Sequence, residues 1–241
     1  RGLAVRGVVL FLVIWAVSAQ GQPSFILPGP QAVVTRLLTE AGSGALLQAV
    51  ADSLRHWVPG TIVGTIAGVS AGIGLGVAPR FEAGSRPIVR VLRPVPPLAL
   101  IGFAIAWLGI SHTAAAFIIA IGAFWINLYA TAGGVEDVDR ALIEVAESLG
   151  ATGRLRQIRT VVIPGASPAI MTGVRTGVGR CWMLVVAAEL FGVSGVGRQI
   201  LRASTNLQVD IVMAYILVLS GLFVIVDVLL RRVERRVLRW R

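Results

Sequence analysis

Two serines sit in spacings that could present a nucleophile. Gly68-Val69-Ser70-Ala71-Gly72 spells G-x-S-x-G, and Gly192-Val193-Ser194-Gly195 places a second serine between glycines. A serine nucleophile needs a base within hydrogen-bond reach, and its motif needs the right structural setting. The only histidines are His56 and His112, and neither follows Ser194 in the chain. With 28 glycines present, short glycine-serine matches arise by chance, so Ser70 reads as a small packing residue. The two distant histidines and scattered acids give no metal-ligand spacing. A single cysteine, Cys181, excludes an internal disulfide and a cysteine metal cluster. Nucleotide hydrolysis of the P-loop type is excluded as well. The motif G-x-x-x-x-G-K-[ST] is absent, and the chain has no lysine with which to build it. A pump built on this chain takes its motor from another subunit.

The elements that must hold these residues are membrane spans. The chain has 241 residues, is 56% hydrophobic and only 14% charged, and has a mean hydropathy of +0.82. A soluble domain carries about a quarter charged residues. Spans of about 20 apolar residues are therefore the unit of organisation. Six are expected, at approximately 4–20, 57–79, 90–108, 112–133, 168–190 and 211–230. The stretch from Pro94 to Gly134 holds no acid or arginine and is about twice one span. Gly109-Ile110-Ser111-His112 divides it, which puts His112 at an outer turn with no chemical role assigned.

Six spans place both termini on one side, and arginine placement tests which side. With the ends cytoplasmic, the inner segments hold 16 of the 22 arginines, and the outer segments hold only Arg36, Arg55, Arg198 and Arg202. This is the bias expected of cytoplasmic loops, and it accounts for the net charge of +10 without nucleic acid. The fold class is an all-α membrane protein, multi-pass, with 1–241 as one transmembrane domain. Arg6, a short apolar core and Val17-Ser18-Ala19 also fit a signal peptide, but its removal would leave five spans. A retained first span is expected, as is further sequence before Arg1.

The second span carries Gly60, Gly64, Gly68, Gly72 and Gly76, each four residues apart. That spacing keeps them on one helix face, where the missing side chains admit a close helix neighbour. A phosphate-cradling loop would need a preceding strand and a following lysine.

Between two apolar stretches lies EVAESLGATGRLRQIRTVVIPG, part of a cytoplasmic segment at 135–165. Glu136, Asp137 and Asp139 suit a helix N-terminus. Val138, Leu142, Val145, Ala146 and Leu149 recur at helical spacing, and Gly150 suits the helix end. Thr152 is positioned to cap a second short helix bearing Arg154, Arg156 and Arg159. Pro164 and Pro168 mark entry into span five. On physical grounds alone, a helix pair for a partner and a basic loop on the lipid surface are both open.

Glu144-x-Ala146-x-x-x-Gly150, followed by basic residues and Val162-Ile163-Pro164, resembles the EAA motif of importer-type ABC permeases. Phe25-Ile26-Leu27-Pro28-Gly29-Pro30, Arg93 to Ala99, Trp107-Leu108-Gly109-Ile110 and Val186-Ala187-Ala188-Glu189 are similar to the nitrate, sulfonate, taurine and bicarbonate branch. Val145 stands where the family has its second motif residue, and the gap from Gly150 to Pro164 is one residue longer than usual. The resemblance implies a type I permease fold in a bacterial cytoplasmic membrane. It implies a partner set of a second copy, two ATPase subunits and an extracytoplasmic substrate-binding protein. No cofactor is expected on this chain, with ATP and magnesium on the ATPases. The ATPase-coupling residues carried over are Glu144, Ala146, Glu147, Gly150, Arg154, Arg156, Arg159 and Pro164. A charge at the centre of a span must face protein or water. Arg180 is therefore assigned either to an anion path or to a partner within the bundle, Glu189 to a gate or loop contact, and Arg175 to structure. Asp227 is spaced for a helix ion pair with Arg231. The cargo implied is a small anion, with thiamine-precursor or riboflavin-type solutes as alternatives. The competing class is a self-contained channel or intramembrane hydrolase, such as a rhomboid protease, whose serine motif residues 192–195 resemble.

Overall fold

A computed structural model describes residues 2–238. All regular elements among them are helical. The chain begins with α1 (Gly2–Ala19) and α2 (Pro30–Gly42), then enters α3 (Ala45–Val77), the longest helix. α4 (Pro79–Leu92) follows, then a 3₁₀ turn (Pro97–Leu100) continuing into α5 (Ile101–Leu108), and then α6 (His112–Glu136). Two short helices, α7 (Arg140–Ser148) and α8 (Arg154–Gln157), lead through a π turn (Ile158–Val162) into α9 (Ile163–Glu189). α10 (Val196–Thr205) and α11 (Val209–Val237) complete the chain.

The centre is a layered packing of α3 on α6 on α9. A Cβ added at Gly60 would stand 2.5 Å from the Ala116 carbonyl oxygen, and one at Gly64 would stand 2.7 Å from Ala123 Cβ. At Gly72 it would meet Thr131 Cβ at 2.6 Å, and at Gly68 Asn127 Cβ at 3.0 Å. Gly76 closes the row against Val135. One helix face of glycines thus lies on successive turns of α6, close enough that backbone meets backbone. The adjoining face of α6 uses the same device, with Gly173 of α9 against Ala130 and Gly177 against Asn127, which both neighbours share. Trp57, Ile119, Ala123, Cys181, Trp182 and Val185 fill the core between these helices. The Trp57 and Trp182 rings meet edge to face, with centroids 4.9 Å apart.

α11 is held to α9 by Trp182, whose indole N–H donates to the Leu219 carbonyl at 3.2 Å. Arg175 adds ion pairs to Asp227 at 3.1 Å and Glu234 at 3.7 Å. α2 is clasped to the start of α11 by Arg36 and Asp210 at 3.3 Å, and by the Tyr215 hydroxyl donating to Glu40 at 3.0 Å.

Among the described residues, α3, α6 and α11 are long and apolar enough to cross a membrane. The expected third span at 90–108 is not one helix. The chain breaks between Leu92 and Pro97, and α4 lies at 86° to the helical stretch Pro97–Leu108. Pro94, Pro96 and Pro97 cause the break, because a residue before proline is pushed out of the helical region. α3 also starts well before the expected 57, because Gln48, Asp52 and Arg55 continue the helix beyond its apolar stretch.

Candidate functional site

Three groups of polar residues stand out against this apolar frame. The first is the segment from α7 to the π turn. Asp139 caps α7 by accepting from the Ala141 backbone N–H at 2.9 Å. Glu136 belongs to the end of α6, so only the last of the three acids serves α7. Gly150 ends the helix at φ +90, where a side chain would be strained. The N–H of Ala151 reaches the Ala146 carbonyl at 2.8 Å, and that of Gly150 reaches Glu147 at 2.9 Å. This is a Schellman closure, and it explains a glycine four residues after Ala146.

α7 is amphipathic in an unusual direction. Ile143 packs inward beside the cluster of Val135, Val162 and Ala166. Leu142, Val145 and Leu149 point away, exposed by 54%, 56% and 80%. Their spacing makes one apolar stripe.

The basic residues divide their work. The Arg154 guanidinium donates to the Val77 carbonyl at the end of α3, and that of Arg156 to the Gly150 carbonyl at 3.2 Å. The Gln157 amide donates to Glu147 at 2.7 Å. These contacts tie the two short helices to each other and to α3. Glu144 and Arg159 are exposed and carry no ion pair among the described residues. The expected cap Thr152 is not used, since α8 starts from Gly153 with no side-chain cap. Pro164 lies in the first turn of α9. The gap between Gly150 and Pro164 contains the π turn Ile158–Val162. A π turn is how a helix takes up one additional residue without breaking.

The second group lines a cleft of about 520 Å³ between α9 and α11. Thr172, Thr176 and Arg180 are exposed there, four residues apart on one face of α9. Arg180 has no ion pair among the described residues. Arg175, one turn earlier, is committed to Asp227 and Glu234, and Asp227 also pairs with Arg231 at 2.7 Å.

The third group escaped the sequence reading. Glu189 is completely buried at the end of α9. Its carboxylate accepts from the Ser53 hydroxyl at 2.6 Å, lies 2.9 Å from His56 Nε2, and accepts from the Gly197 backbone N–H. Ser53 in turn accepts from the Val196 N–H at 3.0 Å. His56 Nδ1 stands 3.0 Å from His112 Nδ1, and His112 Nε2 is 3.4 Å from Ser194 Oγ. His112 is therefore part of a buried polar knot joining α3, α6, α9 and α10. Beside the knot lies a polar cavity of about 290 Å³, lined by Gln48, Asp52, Ser194, Arg198 and Arg202 among others. As a hydrolytic centre the knot is poorly built. Its serine contact is long, and the acid orients the far imidazole rather than the one facing the serine.

The sequence profile described as "Binding-protein-dependent transport system inner membrane component" matches residues 60–239, which span α3 through α11. The chain belongs to this family. The taurine transport system permease protein TauC of Escherichia coli is 34% identical over 247 residues, covering 99% of this chain and 89% of TauC. A putative aliphatic sulfonates transport permease protein, SsuC, also from Escherichia coli, is 39% identical over 216 residues, covering 89% of this chain and 82% of SsuC. An inward-facing structure of the MetNI methionine ABC transporter shares the fold. Its TM-score is 0.71 at 19% identity, with 82% of this chain and 98% of that chain covered. The protein is thus an ABC transporter permease, and the segment holding Glu144, Ala146 and Gly150 lies inside the matched region.

Proposed function

We propose that this permease is the transmembrane subunit of an ATP-driven importer for small anions of the sulfonate or taurine type. The observation that carries the reading is the stripe of Leu142, Val145 and Leu149, exposed on a helix that the rest of the segment holds rigidly. Apolar side chains at helical spacing, on a helix that also exposes Glu144, suit the groove of a partner protein. The partner in this reading is a separate ATPase, two copies of which carry ATP and magnesium, while this chain supplies no catalytic group. A second copy of the permease and an extracytoplasmic binding protein complete the complex in a bacterial cytoplasmic membrane.

In this assembly α1, α3, α6, α9 and α11 cross the bilayer and the short stretch Pro97–Leu108 makes the remaining passage, with both termini and the coupling segment inside. Closure of the ATPases on ATP moves the α7 stripes, and rigid-body rocking of the bundles alternates access. Thr172, Thr176 and Arg180 face the path, where a guanidinium and two hydroxyls attract a small oxyanion. The relatives named for taurine and for sulfonates support this cargo class.

Copurification and transport test the proposal together. The expected result is a stable complex with an ATPase, and ATP-dependent uptake of a sulfonate in proteoliposomes supplied with the binding protein. Solute flux or peptide hydrolysis by the isolated chain, with no ATPase bound, would overturn it.

A further inference from the structure

α4 is not a connecting loop but a helix that buries none of its side chains. The segment after it, Pro97–Leu108, has no charge, and α4 lies at 86° to it. In the topology proposed above that segment enters the membrane, which leaves α4 along the membrane surface. Its two sides differ. Arg86 and Arg90 stand four residues apart on one side; Arg86 is ion-paired with Glu82 one turn earlier, and Arg90 has no ion pair among the described residues. Ile88 and Val91, exposed by 60% and 69%, occupy the opposite side with Leu92. The rotation of the helix about its axis is fixed at both ends. Phe81 lies against Gly74 of α3, where an added Cβ would meet its ring at 3.2 Å. At the far end the Tyr129 hydroxyl donates to the Val89 carbonyl at 3.3 Å, and the Arg93 guanidinium lies 4.7 Å from the centre of the Tyr129 ring.

We propose that α4 is an interfacial helix that binds anionic phospholipid. Ile88, Val91 and Leu92 enter the acyl boundary, Arg90 holds a headgroup phosphate, and the exposed Arg86 shares its charge between Glu82 and the headgroup layer. An amphipathic helix with an arginine-bearing polar side and an exposed apolar side is the chemistry that recognises an anionic lipid surface. Lipid is favoured over a protein occupant because one helix meets both requirements at once, apolar boundary and phosphate layer, at the angle the interface demands. Arginine stems are long enough to reach the headgroups from a helix lying at that depth. The inference rests on the cytoplasmic orientation proposed above, since the inner leaflet is where a basic helix finds anionic headgroups.

The test uses the full chain with its copurifying partners in nanodiscs of phosphatidylcholine, with and without phosphatidylglycerol. A nitroxide at Ile88→Cys, in a Cys181→Ser background, reports depth. The expected result is relaxation by oxygen above relaxation by a water-soluble nickel complex. Native mass spectrometry of the detergent-extracted complex then compares wild type with Arg86→Gln/Arg90→Gln. Loss of Arg90 should reduce retained phosphatidylglycerol binding about fivefold, and loss of Arg86 by less, because Glu82 already takes part of its charge. A label fully open to nickel overturns the proposal, as does one shielded from both relaxers, which would mean a protein covers the face. Equal phosphatidylglycerol retention by the double variant overturns the headgroup assignment. The depth reading does not depend on ATPase copurification, so this proposal and the importer reading fail separately.

Discussion

Replacing Gly64 with alanine puts one methyl group into one of the tight α3–α6 contacts. Its Cβ would stand 2.7 Å from Ala123 Cβ and would also press on the Ala120 carbonyl oxygen. Carbon atoms rest at about 3.5–4.0 Å, so α3 and α6 must part by about 1 Å. A gap of that size forfeits about a quarter to a half of the dispersion energy of each affected contact. Overpacking of this kind costs about 1–3 kcal/mol, and the better helix propensity of alanine returns about 1 kcal/mol at most. Because backbone atoms rather than a flexible side-chain end receive the methyl, the upper part of the range applies. The net expectation is a loss of about 2 kcal/mol, or roughly thirtyfold in the folding equilibrium. Gly133→Ala on α6 is the control, since an added Cβ there meets nothing within 4 Å. Equilibrium unfolding of the purified permease in mixed micelles, titrated with denaturing detergent, measures both. Gly64→Ala should shift the midpoint down and Gly133→Ala should leave it unchanged or raise it. Equal midpoints would show that the glycine row does not set the spacing of these helices.

Other substitutions separate structural roles from functional ones. Glu189→Ala strands His56, Ser53 and the Gly197 N–H in a buried site, and thermal unfolding should register a loss of about 3–5 kcal/mol. Arg180→Ala should raise the concentration of sulfonate needed for half-maximal uptake while leaving unfolding unchanged. Arg175→Ala should lower stability through its lost pairs to α11. Leu142→Asp/Leu149→Asp should abolish ATPase copurification while the permease still inserts, as followed by membrane fractionation. Ser194→Ala should leave ATP-driven uptake intact, whereas a hydrolytic function for the knot requires complete loss of activity.

The parts of this architecture that could be read in one dimension are those encoded by local pattern. α3, α6 and α11 follow from apolar runs, and α7 follows from periodic apolar residues ended by Gly150. The broken third span did not show itself, because hydropathy continues through Pro94, Pro96 and Pro97 while the backbone cannot. The contact made by Arg154 was not legible at that level. The sequence places it in the segment for a partner, and the structure adds a hydrogen bond to the end of α3, whose position no local rule supplies. The polar knot was invisible for a different reason. His56 is separated from His112 by 56 positions and from Glu189 by 133. No spacing rule links them, and only the close approach of α3, α6 and α9 made by small residues assembles the group.

The π turn Ile158–Val162 lies in the stretch before Pro164 that is one residue longer than the family pattern, and it has a mechanical consequence. Because the additional residue is absorbed without a break, α8, the turn and α9 run as one rod from Arg154 to Glu189. At 1.5 Å per residue that rod is about 50 Å long. In the proposed importer it is a lever, held by the ATPase near Arg154 and ending at Glu189. A tilt of about 5° at the gripped end swings the tip by about 4 Å over that length. Ser53, His56 and Gly197 hold that tip, so in the importer proposed above a stroke delivered at α7 and α8 is taken up at the other end of the rod by α3 and α10.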